Sequence, residues 1–166
     1  HVGIVPAAGP GVGAQRVPLL HTEPVLLGPI VRNAVQPVHE RNPRYVFPIE
    51  NASGLPAVEA DPNLLTQVLI NLYENAVKYS PDGGPILTTA ARADDEIIIA
   101  VTDSGIGIAP EHAPTVFERF RRVGGDQTVR GMGLGLYLSR HLVEAQGGQI
   151  AASSPGPGRG AKEWTK

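Results

Sequence analysis

The sequence has no cysteine, which excludes disulfides, thiolate metal sites and cysteine nucleophiles. It also lacks an excess of either charge: 14 Lys and Arg against 16 Asp and Glu leave a formal net charge of -2. No overall field would draw nucleic acid or an anionic membrane, so an anionic ligand has to be gripped by local groups. No apolar run approaches the roughly 18 residues of a membrane-spanning helix, and no charged-then-apolar leader with a cleavage site opens the chain. No nucleic-acid partner and no direct membrane contact are expected. No repeat at a fixed period is visible either. What is present, 166 residues of which 42% are hydrophobic, suits one ordinary core and one domain.

The 20 Gly and 16 Pro are unevenly spread, crowding residues 3–13 (GIVPAAGPGVG) and 154–160 (SPGPGRG). Regular structure is not expected there. The expected organisation is a linker or added remnant over 1–17, a folded domain over 18–155 and a flexible tail over 156–166.

Between these ends the patterns alternate. Leu27, Ile30, Val31, Ala34 and Val38 have helical spacing within 26–39, though Gly28, Pro29 and Pro37 blur its limits. Tyr45, Phe47 and Ile49 alternate as a strand, with Ala57–Glu59 as a short partner after a turn. Asp61 and Pro62 are a natural N-cap and first residue for a long helix that SPDGG stops. PILTTAARA and EIIIAVTD predict a hairpin across Asp94 and Asp95 that delivers Asp103 at its end. A polar segment from Ile108 to Arg130 is too long for a passive turn. A helix from Leu134 to about Gln146, with a core stripe of Leu134, Leu138, Leu142 and Ala145, and a strand over 150–153 complete an α+β pattern.

Three stretches carry candidate chemistry. On the long helix, Leu65, Val68, Leu69, Leu72, Ala76 and Tyr79 form one apolar face, with Ile70, Tyr73 and Val77 roughly opposite, so the helix should be nearly buried. Asn71, Asn75 and Lys78, at i, i+4 and i+7, share a narrow line between the two. Amide oxygens suit Mg²⁺ and an ammonium suits phosphate; a solvated groove fits the same spacing. Asp103, at the end of an apolar strand and followed by Gly105 and Gly107, is placed to accept from a ligand amino group such as that of adenine, while glycines let the ligand lie on bare backbone. An Asp-capped turn fits as well. Gly131, Gly133 and Gly135 open a helix whose free amides attract anions, and a flexible hinge is the other reading.

The order and spacing of NLYENAVKYS, DSGIGI, FERF and GMGLGL resemble the N, G1, F and G2 boxes of the catalytic, ATP-binding domain of bacterial sensor histidine kinases, over about Glu59 to Ser153. The resemblance implies the Bergerat-type two-layer α/β sandwich shared with gyrase-type topoisomerases, ninety-kilodalton chaperones and mismatch-repair ATPases: a mixed sheet, helices on one face and a mobile ATP lid. It implies ATP and Mg²⁺ as ligands. Asn75 would hold the metal, Asn71 assist it or the phosphates, and Lys78 contact phosphate. Tyr79 would lie beside adenine, whose amino group Asp103 accepts. Gly105, Gly107 and Ile108 would open the lid, Phe117 and Phe120 anchor its F box, and Gly131, Gly133, Leu134 and Gly135 close it on the phosphates. Arg119 and Arg122 are candidate γ-phosphate contacts, or a solvated lid face.

Branches that hydrolyse ATP with water carry a Glu where this chain has Asn71, and an amide cannot act as general base. The resemblance therefore implies transfer to a histidine on a dimerisation domain, and from there to a response regulator. Glu74, about 100° around the helix from Asn75, should point away from the metal line. Such acceptors sit in a His-Glu-x-x-x-Pro setting. His39-Glu40-Arg41-Asn42-Pro43 places its proline one position early, and His1, His21, His112 and His141 lack even that context, so the chain is expected to be the catalytic domain without its substrate domain. The parent is expected to be membrane-anchored with this domain in the cytoplasm. A non-catalytic ATP sensor that switches a partner by lid closure is the rival reading; a serine kinase acting on anti-anti-sigma factors is disfavoured by Asn71.

Overall fold

The computed structural model describes residues 20–51, 54–109, 111–112, 115–118, 134–156, 158 and 160–165. Its elements run β1 (Glu23–Val25), α1 (Leu27–Arg41), β2 (Tyr45–Val46), β3 (Ile49–Glu50), β4 (Val58–Ala60), α2 (Pro62–Lys78), β5 (Gly84–Pro85), β6 (Leu87–Ala93), β7 (Glu96–Thr102), α3 (Gly135–Ala145), β8 (Ile150–Ser153) and β9 (Lys162–Thr165). The main sheet has the order β3-β6-β7-β9-β8, with β3 and β6 parallel and the other pairs antiparallel. The α+β class with a mixed sheet is as expected.

Helix α2 is the centre of the molecule, packed between α1 and α3 and over β7. Its start follows from chemistry: Asp61 Oδ1 accepts from the Asn63 and Leu64 amides at 3.0 and 3.1 Å, and Pro62 needs no donor partner there. Leu65, Val68, Leu69, Leu72, Tyr73 and Ala76 are buried, meeting Val31, Ala34 and Val38 of α1 and Ala90, Ile99 and Val101 of the sheet. The one polar group this core must satisfy on Tyr73 is shared with Thr88, hydroxyl to hydroxyl at 2.7 Å, and burial pushes the phenol up to about 12 despite that bond. Helix α1 passes through Pro37. Its C-terminal carbonyls are met by side chains instead, Arg41 Nε donating to Pro37 O and Asn42 Nδ2 to Val38 O.

Four expectations change. The strand over 45–49 exists but is broken in two, because Pro48 has no N–H for the ladder. β4 pairs with β1, not with residues 45–49. In α3, Leu142 packs on the core as expected, but Leu138 is 50% exposed and the buried positions are Ser139 and Val143, so the stripe is turned away from Leu138. The cause is Ser139, whose hydroxyl is drawn inward by a partner on α2. Most consequentially, the expected flexible tail supplies β9, an interior strand flanked by β7 and β8. The Gly- and Pro-rich stretch before it is the return that lets the chain re-enter the sheet.

Candidate active site

β7 ends by presenting Asp103. Its Oδ1 accepts from the Gly105 amide at 2.8 Å and the Ala161 amide at 3.2 Å, which leaves Oδ2 without a backbone donor among the described residues. Burial pushes the carboxyl above the usual carboxylate range; the Gly105 and Ala161 amides oppose this, and the nearby Ser80 hydroxyl does so least. Ser80 Oγ is buried and makes no hydrogen bond of good geometry among the described residues. An acid fixed on one oxygen and open on the other is a pre-set acceptor for a ligand N–H.

The glycines beside it work differently from expectation. A Cβ on Gly105 would stand 1.9 Å from Tyr79 O, and one on Gly107, at φ +71, would stand 2.2 Å from Gly156 O. Their bareness accommodates the protein's own backbone in that direction, not a ligand. Gly160 does the same against Asp103 O at 2.0 Å. The three close approaches are stitched by Ile106 N to Tyr79 O and Gly160 N to Gly105 O, both 2.9 Å. Ile108, expected at the opening of the lid, is 6% exposed and joins Val116 and Phe117 in a small apolar cluster. Phe117 is buried there, in keeping with an anchoring role.

The line on α2 is present, and its members are in three different states. Asn71 Nδ2 donates to Ser139 Oγ at 3.2 Å, and Asn71 Oδ1 accepts from the exposed Gln67 amide at 3.1 Å. It joins α2 to α3. Asn75 is half-buried, and its Nδ2 lies fully inside with no hydrogen-bond partner among the described residues. Native proteins rarely leave such a group orphaned. The two ends of an amide exchange by a half-turn, so that position can present a carbonyl oxygen to a cation or an N–H to a phosphate. Lys78 holds its ammonium 5.0 Å from the centre of the Tyr79 ring. Glu74 faces away, paired with Arg41 at 3.0 Å across α1 and α2.

At the mouth of α3, Leu134 offers no side-chain cap and nothing lies within 4 Å of a Cβ built on Gly135, so the first turn has room for an anion. Arg119, Phe120, Arg122, Gly131 and Gly133 lie outside the described residues. No group of three or more His, Cys, Asp or Glu among the described residues could hold a metal by itself. A cation here would depend on Asn75 together with oxygens of the ligand and water, the usual arrangement for Mg²⁺ on a nucleotide. Ser80 and Ser139, both buried, are site members that sequence reading passed over. An open cleft of about 580 Å³ lies at the other end of α2, against Leu65, Ile97, Val143 and Gln146, and holds none of these groups.

Residues 60–165 match the family of histidine kinase-, DNA gyrase B- and HSP90-like ATPases. The chain belongs to this family. Within it the similarity is to kinases. The adaptive-response sensory kinase SasA of Synechococcus elongatus is 32% identical over 133 residues, covering 78% of this chain and 34% of that protein. The mycobacterial sensor histidine kinase MprB superposes with a TM-score of 0.76 at 27% identity, over 87% of this chain and 95% of that one. Full-length ShkA, solved in complex with AMPPNP, gives 0.76 at 32% identity over 88% of this chain and 30% of its own. The chain thus spans about a third of the curated relative SasA. This family ATPase domain is similar to the ATP-binding catalytic units of sensor kinases, and no helix among its described residues is long and apolar enough to cross a membrane.

Proposed function

We propose that the domain binds Mg–ATP along the C-terminal half of α2, with adenine at Asp103 and the phosphates beside Asn75, Lys78 and the start of α3. The observation that carries this is the buried, partnerless Asn75 amide, one turn from the Tyr79–Ser80 turn that packs on the Asp103 loop. Asp103 Oδ2 accepts the amino hydrogen at purine position 6 and disfavours guanine, whose carbonyl oxygen would face an acceptor. Asn75 supplies an amide oxygen to the cation, and Asn71, already bound to Ser139, fixes the helix pair that carries it. Tyr79 lies beside the base, and Lys78, held near its ring, is within the same turn to meet phosphate charge. Bound Mg²⁺ supplies charge neutralisation across the phosphates.

The recipient is a histidine of a separate dimerisation domain, which then phosphorylates a response regulator. The imidazole lone pair forms the new N–P bond as the bond between the γ-phosphorus and the β–γ bridging oxygen breaks, and ADP leaves. Asn71 supports this over hydrolysis, because its amide cannot take a proton from water. His39 is not read as the acceptor, because Pro43 comes one position too early for the His-Glu-x-x-x-Pro setting. The parent protein is read as a bacterial membrane-anchored sensor with this domain on the cytoplasmic side, where ATP is available; the support is the similarity to sensor kinases.

Incubating the domain with a kinase dimerisation domain and γ-labelled ATP tests the transfer. Acid-labile label on the partner's histidine is expected. ATP binding without label transfer would instead favour the non-catalytic sensor.

A further inference from the structure

We infer that Tyr45 is a positioning residue for purine selection, an assignment that rests on the reading of Asp103 as the purine acceptor. Tyr45 begins β2 and is 1% exposed. Its hydroxyl lies at the end of α2, 35 residues away in sequence, where it donates to Ser80 O at 2.7 Å with a longer contact of 3.2 Å to Val77 O. Arg44 Nη2 donates to the same hydroxyl at 2.8 Å. Ser80 O lies two residues past the end of α2 and also accepts from the Gly83 amide at 3.0 Å, so the buried phenol adds a tie from another element to the turn that follows Lys78.

That turn sets the acid. Tyr79 O accepts from the Ile106 amide at 2.9 Å and fills the space where a Gly105 side chain would begin. Gly105 in turn donates its amide to Asp103 Oδ1 at 2.8 Å, and Ser80 places its hydroxyl toward the same carboxyl. The route from phenol to carboxylate therefore runs through two carbonyls, Ser80 O and Tyr79 O, and two amides, Ile106 N and Gly105 N, with no flexible side chain between. Asn75 lies inside α2, ahead of the turn, where helical bonds hold it whatever Tyr45 does. Hydrogen-bond strength falls steeply with misalignment, so loosening the turn should harm base selection more than phosphate contact.

The test uses Tyr45→Phe, which keeps the ring and removes only the hydroxyl. Affinities for ATP and for inosine triphosphate, which carries a carbonyl where adenine has its amino group, are measured on wild type and variant. Wild type should prefer ATP, and the variant should lose about three- to tenfold of that preference, as expected for part of a hydrogen bond to a charged group. A role in stability alone would lower the folded fraction and scale both affinities together, leaving their ratio unchanged. A variant as selective as wild type overturns the inference; a wild type with no preference overturns the Asp103 reading beneath it. Arg44→Met leaves Tyr45 in place but removes one partner from its hydroxyl. It should shift the ratio in the same direction by a smaller factor, and it decides the matter should Tyr45→Phe not fold.

Discussion

The Asp103 end and the Asn75 end of the site are separated by a single helical turn, and they are built in opposite ways. Around Asp103, two amides fix one carboxylate oxygen, and three glycines bring backbone strands into contact that any Cβ would forbid. Around Asn75, a buried amide is left without a partner. The first region is complete before any ligand arrives. On the proposed reading the second is completed by the nucleotide, and the difference is what substrate chemistry asks for: a purine edge is rigid and rewards a fixed acceptor, whereas phosphates and their cation bring their own charge and need a group kept for them.

Substitutions that separate stability from activity bear on this contrast. Asn75→Ala should lower Mg-dependent phosphotransfer by at least about a hundredfold, the scale seen for removing one preorganised electrostatic group, while the melting temperature stays level or rises because an unsatisfied buried amide is gone. A large fall in melting temperature would mean that Asn75 is structural after all. Gly105→Ala should do the reverse first. Forcing a methyl group against Tyr79 O should cost about 3 kcal/mol in denaturant unfolding, the upper end for overpacking, and an unperturbed fold would contradict the backbone lock.

Asp103→Asn turns half of the fixed acceptor into a donor. ATP affinity should weaken by about 1.5–3 kcal/mol in calorimetry, with little change at the phosphate end as judged by inorganic triphosphate binding. The pH dependence follows from the raised folded value of Asp103. The native state holds this proton more tightly than the unfolded chain, so ionised Asp103 is a small cost to folding that is relieved as pH falls through the folded value towards the ordinary aspartate value of 3.8. Selectivity for adenine should decline over that same interval, since a protonated acid no longer offers two acceptors.

The smallest effect lies outside the site. Asp61→Ala should cost about 1 kcal/mol of stability at neutral pH through loss of the α2 cap. Although burial opposes it, amide bonds from His21, Leu64 and Asn63 hold the Asp61 carboxyl below its usual value. Its contribution is therefore present above the ordinary aspartate value of 3.8 and disappears as pH falls through the lower folded value. The thermal melts of the two proteins should differ most at pH 7 and draw together as pH falls below that ordinary value.

Local signals carried much of this architecture. Asp61, Pro62 and the 3.6-residue spacing of Leu65, Val68, Leu69 and Leu72 were enough to place α2, and Asp94-Asp95 placed the hairpin of β6 and β7. What was not legible depended on partners distant in sequence. Residues 162–165 carry little strand pattern and become β9 because β7 and β8 both offer them an edge. Ser139 reads as a helix filler until Asn71 is seen across from it. Gly105 and Gly107 announce close approach, but only the folded chain reveals that the approaching atoms are carbonyls of Tyr79 and Gly156. Asp103, Asn75 and Lys78 were identifiable by motif, and their unequal degrees of satisfaction were not.

Binding of Mg–ATP at Asp103 and Asn75 is best probed by titrating the folded domain calorimetrically with ATP, once with saturating Mg²⁺ and once with chelator. Saturable binding at one site is expected, weakening many-fold when the cation is withdrawn and not matched by GTP. Absence of any binding heat, or equal affinity for ATP and GTP, would rule this site out.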